Sequence, residues 1–291
     1  MGGDSWGLVF CVANIKGGVG KTTLSVMLSR YLSLRGFRVL LLDADPQGTA
    51  SIHAGDEIFD DRGRLLKGMP YILECFVHDV DVDSETMLRN IHSVSDVVDE
   101  AFYLLPNSIE SSDYDFTIRS RGLQHMLFKR IFSALPLDFD VVIVDCPPYV
   151  NTFLLAALSV ADIVLIPAET TPQALPGVDK MVDLLVQYRK WQLCNPKGVF
   201  IVPTKVKRTR DSRAALSLLR AEYGGYTTEA SMPNTVLVNK LFAGKLTVGE
   251  LVKSGARGGI EGRIVKLLRE IEQKALLGGR DDKEADSEHR L

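Results

Sequence analysis

Three short stretches hold residue types whose spacing could do chemistry. The first, Lys16-Gly17-Gly18-Val19-Gly20-Lys21-Thr22-Thr23, packs two lysines, three glycines and two hydroxyls into eight residues. Its spacing fits the phosphate-binding pattern G-x-x-x-x-G-K-[ST], except that Ile15 stands where the first glycine belongs and Lys16 is an added cation. Glycines at 17, 18 and 20 let backbone N–H groups turn inward around an anion with no Cβ in the way. The helix that follows adds the partial positive charge of its N-terminus. Lys21 then reaches the β/γ-phosphates of a nucleotide, and the Thr22 hydroxyl faces Mg²⁺. The second stretch, Asp43-Ala44-Asp45-Pro46-Gln47-Gly48, and the third, Asp145-Cys146-Pro147-Pro148, supply carboxylates. Phosphoryl transfer leaves a protein little covalent chemistry; it must position water, hold metal and neutralise developing charge. Asp145 follows four apolar residues, where a charge lacking metal or hydrogen-bond partners is costly.

The elements that must place these groups are legible from apolar runs. Residues 8–13 read as a buried strand entering the glycine loop, and residues 24–32 as the helix leaving it. Further strands are expected over 37–42, 101–106, 139–145, 162–167 and 198–203. Helices are expected around 123–131, over 173–190 and through most of 210–277. Residues 49–100 carry no clean periodicity and are punctuated by Gly55, Gly63, Gly68 and Pro70. Strands alternating with helices predict an α/β fold: one doubly wound, mostly parallel sheet with helices on both faces. Ligands of such sheets sit beyond the carboxyl ends of the strands, where Thr22, Asp43, Asp45 and Asp145 all fall. Residues 1–277 are expected to form one domain and 278–291 a charged, disordered tail.

Composition narrows the class. Of 291 residues 46% are hydrophobic, enough for a large core, yet no uncharged apolar run reaches the roughly 20 residues of a membrane span. No signal segment is visible, and the four scattered cysteines (Cys11, Cys75, Cys146, Cys194) read as reduced core residues of a cytosolic protein. The net charge of −3 hides an asymmetry: residues 53–115 hold fifteen Asp/Glu against four Lys/Arg, whereas 205–274 hold fourteen Lys/Arg against seven Asp/Glu.

With these residues in view, the chain resembles the ParA/MinD ATPases. The 16–23 stretch is similar to their deviant Walker A box, 43–48 to their switch I, and 141–148 to their Walker B and switch II; Asp45-Pro46-Gln47 points to the ParA branch. Ala174–Val178 and Met232–Val236 resemble later family segments. The resemblance covers about residues 1–275, strongly at the three nucleotide motifs and loosely between them. It implies a P-loop NTPase fold, with ATP and Mg²⁺ as cofactors. Gly17, Gly18, Val19, Gly20, Lys21, Thr22 and Thr23 would hold the phosphates, and Thr22, Asp43 and Asp145 the metal, with Asp43 behind the others. Asp45 would orient the attacking water. Lys16 would cross to a partner subunit's phosphates, so that two chains sandwich two ATP molecules. The adenine would lie between the Pro203-Thr204 strand end and the turn at Pro233.

The resemblance further implies an ATP-formed homodimer that binds double-stranded DNA without sequence preference, responds to a ParB-like partner and positions a plasmid, chromosome region or protein cargo. Lys205, Lys207, Arg208, Arg210 and Arg213 form the densest basic run, and Lys240 and Lys245 follow; such side chains neutralise phosphates in a salt-sensitive way. Asn234 and Leu237 stand where relatives often carry arginine, which weakens or moves the usual patch. The competing expectation is a MinD-like ATPase on a membrane surface. Residues 260–277 are amphipathic, but Glu261, Glu270 and Glu272 offset their bases, so they read as a packed helix. An iron–sulfur ATPase would need exposed cysteines, and no C-x-x-C is present. No helix-turn-helix segment precedes the glycine loop, which argues against operator binding. The implied location is cytoplasmic, on the nucleoid when ATP is bound, with no stable membrane association.

Overall fold

The computed structural model describes residues 6–52, 58–60, 65, 67–94, 101–171, 173–242, 245–256 and 258–277. Gly55, Gly63, Arg257 and the 278–291 tail lie outside the described residues.

Seven strands form one sheet among the described residues: β1 (Leu8–Val12), β2 (Val39–Asp43), β3 (His92–Val94), β4 (Phe102–Leu105), β5 (Val141–Asp145), β6 (Ile163–Glu169) and β7 (Gly198–Thr204). Their spatial order is β3-β4-β2-β5-β1-β6-β7. Every pairing is parallel except that of the three-residue edge strand β3 with β4. The expected strands are therefore present; β3 was not expected, because three residues cannot show an alternation.

The helices run in chain order as α1 (Lys21–Leu34), α2 (Thr49–Ile52), α3 (Met69–Val77), α4 (Ser84–Asn90), α5 (Asp115–Ser120), α6 (Gln124–Ser133) and α7 (Thr152–Val160). They continue as α8 (Ala174–Lys190), α9 (Arg210–Tyr223), α10 (Val236–Phe242), α11 (Val248–Gly255) and α12 (Gly259–Leu277). A 3₁₀ segment over Ile109–Tyr114 leads into α5. Helix α7 also escaped the sequence reading: residues 152–158 are all buried, so it presents no polar stripe.

Side chains alternate across a strand, and the two apolar sets of β1, β2 and β5 feed separate cores. Val9, Cys11, Leu40, Leu42, Val142 and Val144 face α3, α6, α7 and α8. Phe10, Val12, Leu41, Ile143 and Leu165 face α1, α11 and α12. Burial on both faces explains the continuous apolar runs. Helix α12 is packed as expected: Ile264, Leu267, Leu268 and Ile271 are fully buried. Its Glu272 accepts a hydrogen bond from the Tyr31 hydroxyl (2.8 Å) and pairs with Arg35 (3.1 Å), both belonging to α1 or its end. All four cysteines are free and buried, with the Cys11 and Cys146 sulfurs 3.5 Å apart.

Candidate functional site

The glycine loop crosses the carboxyl end of β1, in the middle of the sheet, and closes at Gly20, the residue that caps α1 in a left-handed conformation. Two groups anchor it: Asn14, which the sequence did not flag, and Thr204, which it placed elsewhere in the site. The Asn14 amide donates to the Pro167 carbonyl of β6 (2.8 Å) while its Oδ1 accepts the Lys16 N–H (2.9 Å). At the far side the Thr204 hydroxyl donates to the Val19 carbonyl (2.7 Å). The loop backbone is thus pinned from β6 and β7 before any ligand contacts it.

Within the loop the two lysines differ sharply. Lys21 is buried, and its ammonium donates to the Lys16 carbonyl (3.3 Å). Burial lowers its pKa, against the charges of Asp145, Cys146 and Asp45. Lys16 is half-buried, and among the described residues its ammonium hydrogen-bonds the Gln173 carbonyl, at 3.5 Å. Val19 is buried, Gly17 and Gly18 are exposed, and Thr23 is half-buried at the helix start.

Beneath the loop, Asp145 is fully buried at the end of β5 and lies in register with Val12 on one side and Asp43 on the other. Its Oδ2 accepts from the Thr22 hydroxyl (2.7 Å), and its Oδ1 lies 2.9 Å from the Ser25 hydroxyl. Ser25 is a further group that the sequence reading missed, although its spacing from Lys21 and Thr22 on one helix face was a signal. Asp45 is nearly buried; its Oδ1 accepts the Gln47 N–H (3.0 Å) and its carbonyl the Gly48 N–H (2.9 Å).

Two expected site residues are engaged by the protein itself. Asp43, expected in the metal set, already accepts from the Asp45 N–H (3.1 Å), the Ser51 N–H (2.8 Å) and the Ser51 hydroxyl (2.7 Å). With most of its lone pairs taken it organises the 43–51 segment, which fits a place behind Thr22 and Asp145. Thr204, expected beside the adenine, spends its hydroxyl on the loop. The two segments meant to flank the base are hydrogen-bonded directly: Met232 N–H to the Pro203 carbonyl (2.9 Å), Val206 N–H to the Met232 carbonyl (3.0 Å). Pro203 and Pro233 are both buried in that pairing, so a base would rest against it and not between its halves.

A pair of buried carboxylates on adjacent strands has an electrostatic cost. Burial and the charge of Asp145 push the Asp43 carboxyl well above the ordinary carboxylate range. Burial lifts Asp145 to about 6, against the hydrogen bonds from Thr22 and Ser25 and the Lys21 charge. In an unfolded chain this group titrates near 3.8. The folded state therefore binds more protons between those values, and stability falls as pH rises through that window. Asp145→Asn is expected to stabilise the nucleotide-free protein more at pH 7.5 than near pH 5. Thermal unfolding at the two pH values checks this; an equal gain at both would remove the charge explanation.

The site suits Mg²⁺ held partly by a nucleotide. Among the described residues no three His, Cys, Asp or Glu side chains gather as a metal cage. One hydroxyl and one carboxylate at 2.7 Å, facing a phosphate loop, match an ion that keeps water and phosphate oxygens as its other ligands.

The basic run begins one residue beyond Thr204. Lys205 adopts φ +51, and Lys207, Arg208, Arg210 and Arg213 are exposed. Thr209 caps α9 by accepting the Ser212 N–H, and the Ser212 hydroxyl accepts the Lys207 N–H (3.0 Å), which fixes the turn that displays them. Arg210 and Arg213 sit in the first turn of α9, where cations oppose the helix dipole. None of these five cations forms a salt bridge among the described residues. Lys240 and Lys245 are exposed at and after the end of α10.

A family model described as an AAA domain matches residues 7–196. The chain is 31% identical over 177 residues to the sporulation initiation inhibitor protein Soj of Bacillus subtilis, covering 61% of this chain and 64% of that one, just under two thirds of its length. It is 32% identical over 231 residues to the chromosome-partitioning ATPase Soj of Thermus thermophilus, covering 77% and 80%. The ATP complex of a Cyanothece McdA shares the fold, with a TM-score of 0.74 at 20% identity over 94% of this chain and 97% of that one. The family model and the Thermus relative together show the family: the chain belongs to the ParA/Soj family of P-loop ATPases.

Proposed function

We propose that the chain is an ATP-hydrolysing switch that closes into a nucleotide-sandwich dimer, grips DNA without sequence preference in that form, and so positions a DNA or protein cargo. The observation that supports this reading is the contrast within one loop: Lys21 is buried, whereas Lys16 is only half-buried, on a backbone anchored by Asn14 and with its ammonium at the Gln173 carbonyl. One cation serves the copy's own phosphates and the other is available to a second copy's. Magnesium, when bound, neutralises charge on the β- and γ-phosphate oxygens. Thr22 and Asp145 would hold it, and the loop amides and Lys21 would bind the phosphates. Asp45 would accept a hydrogen bond from the attacking water and take its proton as that oxygen bonds to the γ-phosphorus and the diphosphate leaves. A face for the second copy is at hand: Ile52, Ile109, Phe116, Tyr149 and Val150 are all exposed on segments that follow β2, β4 and β5.

The output surface is Lys205–Arg213, with Lys240 and Lys245 as further contacts. Its first residue adjoins Thr204, which holds the phosphate loop, so a change in loop or dimer state is transmitted over a short path. A ParB-like or cargo-bound partner stimulates hydrolysis and releases the dimer. The protein then acts in the cytoplasm, on the nucleoid in its ATP form. The packing of α12 favours this over a membrane-surface reading, because that helix has its apolar face in the core.

Co-sedimentation with DNA and with anionic vesicles, under ATP, ADP and no nucleotide, tests the proposal. ATP-dependent DNA retention is expected; vesicle binding without DNA binding overturns it. For the Lys205/Lys207/Arg208/Arg210→Ala variant, affinity is expected to fall by about tenfold or more at low salt. The slope of log affinity against log salt should fall by about 1 per phosphate contact removed. An unchanged slope moves the DNA surface elsewhere.

A further inference from the structure

The proposed chemistry is divided between two segments: 43–51, which carries Asp45, and 145–152, which begins with Asp145. They are joined at the sheet, where the Ala44 N–H donates to the Asp145 carbonyl (2.9 Å), and diverge beyond it. A third segment, 107–115, touches both. At one end the Asn107 N–H donates to the Ser51 hydroxyl oxygen (2.8 Å), and that hydroxyl donates to Asp43. Gly48 lies directly on this corner: its φ is +63, and a Cβ there would stand 2.7 Å from the Asn107 carbonyl oxygen. At the other end Asp115 Oδ1 accepts the Thr152 N–H (2.7 Å), and its carbonyl accepts the Thr152 hydroxyl (3.2 Å). Thr152 is the first residue of α7, directly after Asn151 caps that helix.

The span between these ends is stiff. Asn107 is fully buried, and its Oδ1 accepts both the Ser108 N–H and the Ser111 hydroxyl. Residues 109–114 form a 3₁₀ turn, about 12 Å of chain at its usual rise. That turn packs on α3, and α5 packs on α7. Movement of either end must therefore displace the other or break buried hydrogen bonds.

We propose that residues 107–115 are a rigid strap coupling the Asp45 segment to the segment after Asp145, with Ser51, Asn107 and Asp115 as positioning residues. The proposal deepens the nucleotide reading above, on which its catalytic consequence rests. The strap keeps Asp45 in step with the metal-side carboxylate, so that water orientation and metal placement change together.

Amide hydrogen exchange on the full-length, nucleotide-free chain tests the coupling without relying on activity. Asp115→Ala removes the acceptor at one end and is expected to speed exchange of the amides of 47–51, at the other end, by about fivefold or more. Asp115→Asn keeps an acceptor for Thr152 and is expected to restore the native pattern. In turnover, Asp115→Ala should lower kcat with KM nearly unchanged. Faster exchange confined to 113–118 and 150–155 overturns the strap. Should Asp115→Ala fail to fold, Ser51→Ala read at 152–155 decides the same question, because coupling is reciprocal. A native chain that shows the coupling but hydrolyses no ATP would remove the nucleotide reading and leave the strap standing.

Discussion

Lys16→Ala is expected to lower ATP turnover by about 10³-fold and to abolish ATP-driven dimerisation, while a single copy still binds nucleotide within a few fold of native. The reason is the separation of its backbone from its side chain. The Lys16 N–H is locked to Asn14, which is locked to β6, so the cradle keeps its shape when the ammonium is removed. Among the described residues the ammonium meets a carbonyl at 3.5 Å, a weak contact for a charged donor. Charge supplied across an interface to a transferring phosphoryl group is among the larger single effects known for this chemistry. Nucleotide affinity by fluorescence, mass by light scattering and single-turnover hydrolysis separate the three quantities. A variant that dimerises and hydrolyses like the native chain would show that this lysine serves only its own loop.

Asp45→Ala is expected to cut hydrolysis by about 10²- to 10⁴-fold while leaving ATP-driven dimers intact and longer-lived. Asp45 is nearly buried, and only its Oδ1 is engaged, by the Gln47 N–H, among the described residues. In the proposed mechanism its other oxygen would be the acceptor for a water attacking the γ-phosphate. Asp45→Asn discriminates between the two uses of this side chain: it retains an acceptor for Gln47 and so the turn, yet it cannot accept a proton. Loss of turnover in both variants, with persistent dimers under saturating ATP, is the expected result. A variant that remains monomeric with ATP would break the link between the γ-phosphate and assembly.

The two variants differ in a way that connects to the strap. In the proposed dimer Lys16 would act on the partner, whereas Asp45 would act within its own copy, on a segment held through Ser51 and Asn107. Asp115→Ala should therefore resemble a mild form of Asp45→Ala and not of Lys16→Ala.

What could be read from the amino-acid order was whatever the local backbone dictates. Continuous apolar runs set β1, β2 and β5, because a parallel strand buried on both faces has no polar side to show. Glycines at 17, 18 and 20 between such a strand and a helix set the phosphate loop, and the carboxylates at 43, 45 and 145 followed from strand ends. Helix α7 and strand β3 escaped for opposite reasons, one apolar all round and the other too short to alternate. The groups that hold the site in shape depend on topology alone. Asn14 meets a residue 153 positions away, Asn107 one 56 away and Asp115 one 37 away. Hydrogen bonds across such distances leave no trace in local periodicity. They exist because the strand order β4-β2-β5-β1-β6 brings five carboxyl ends to one edge of the sheet, and only the folded chain decides which polar side chains meet there.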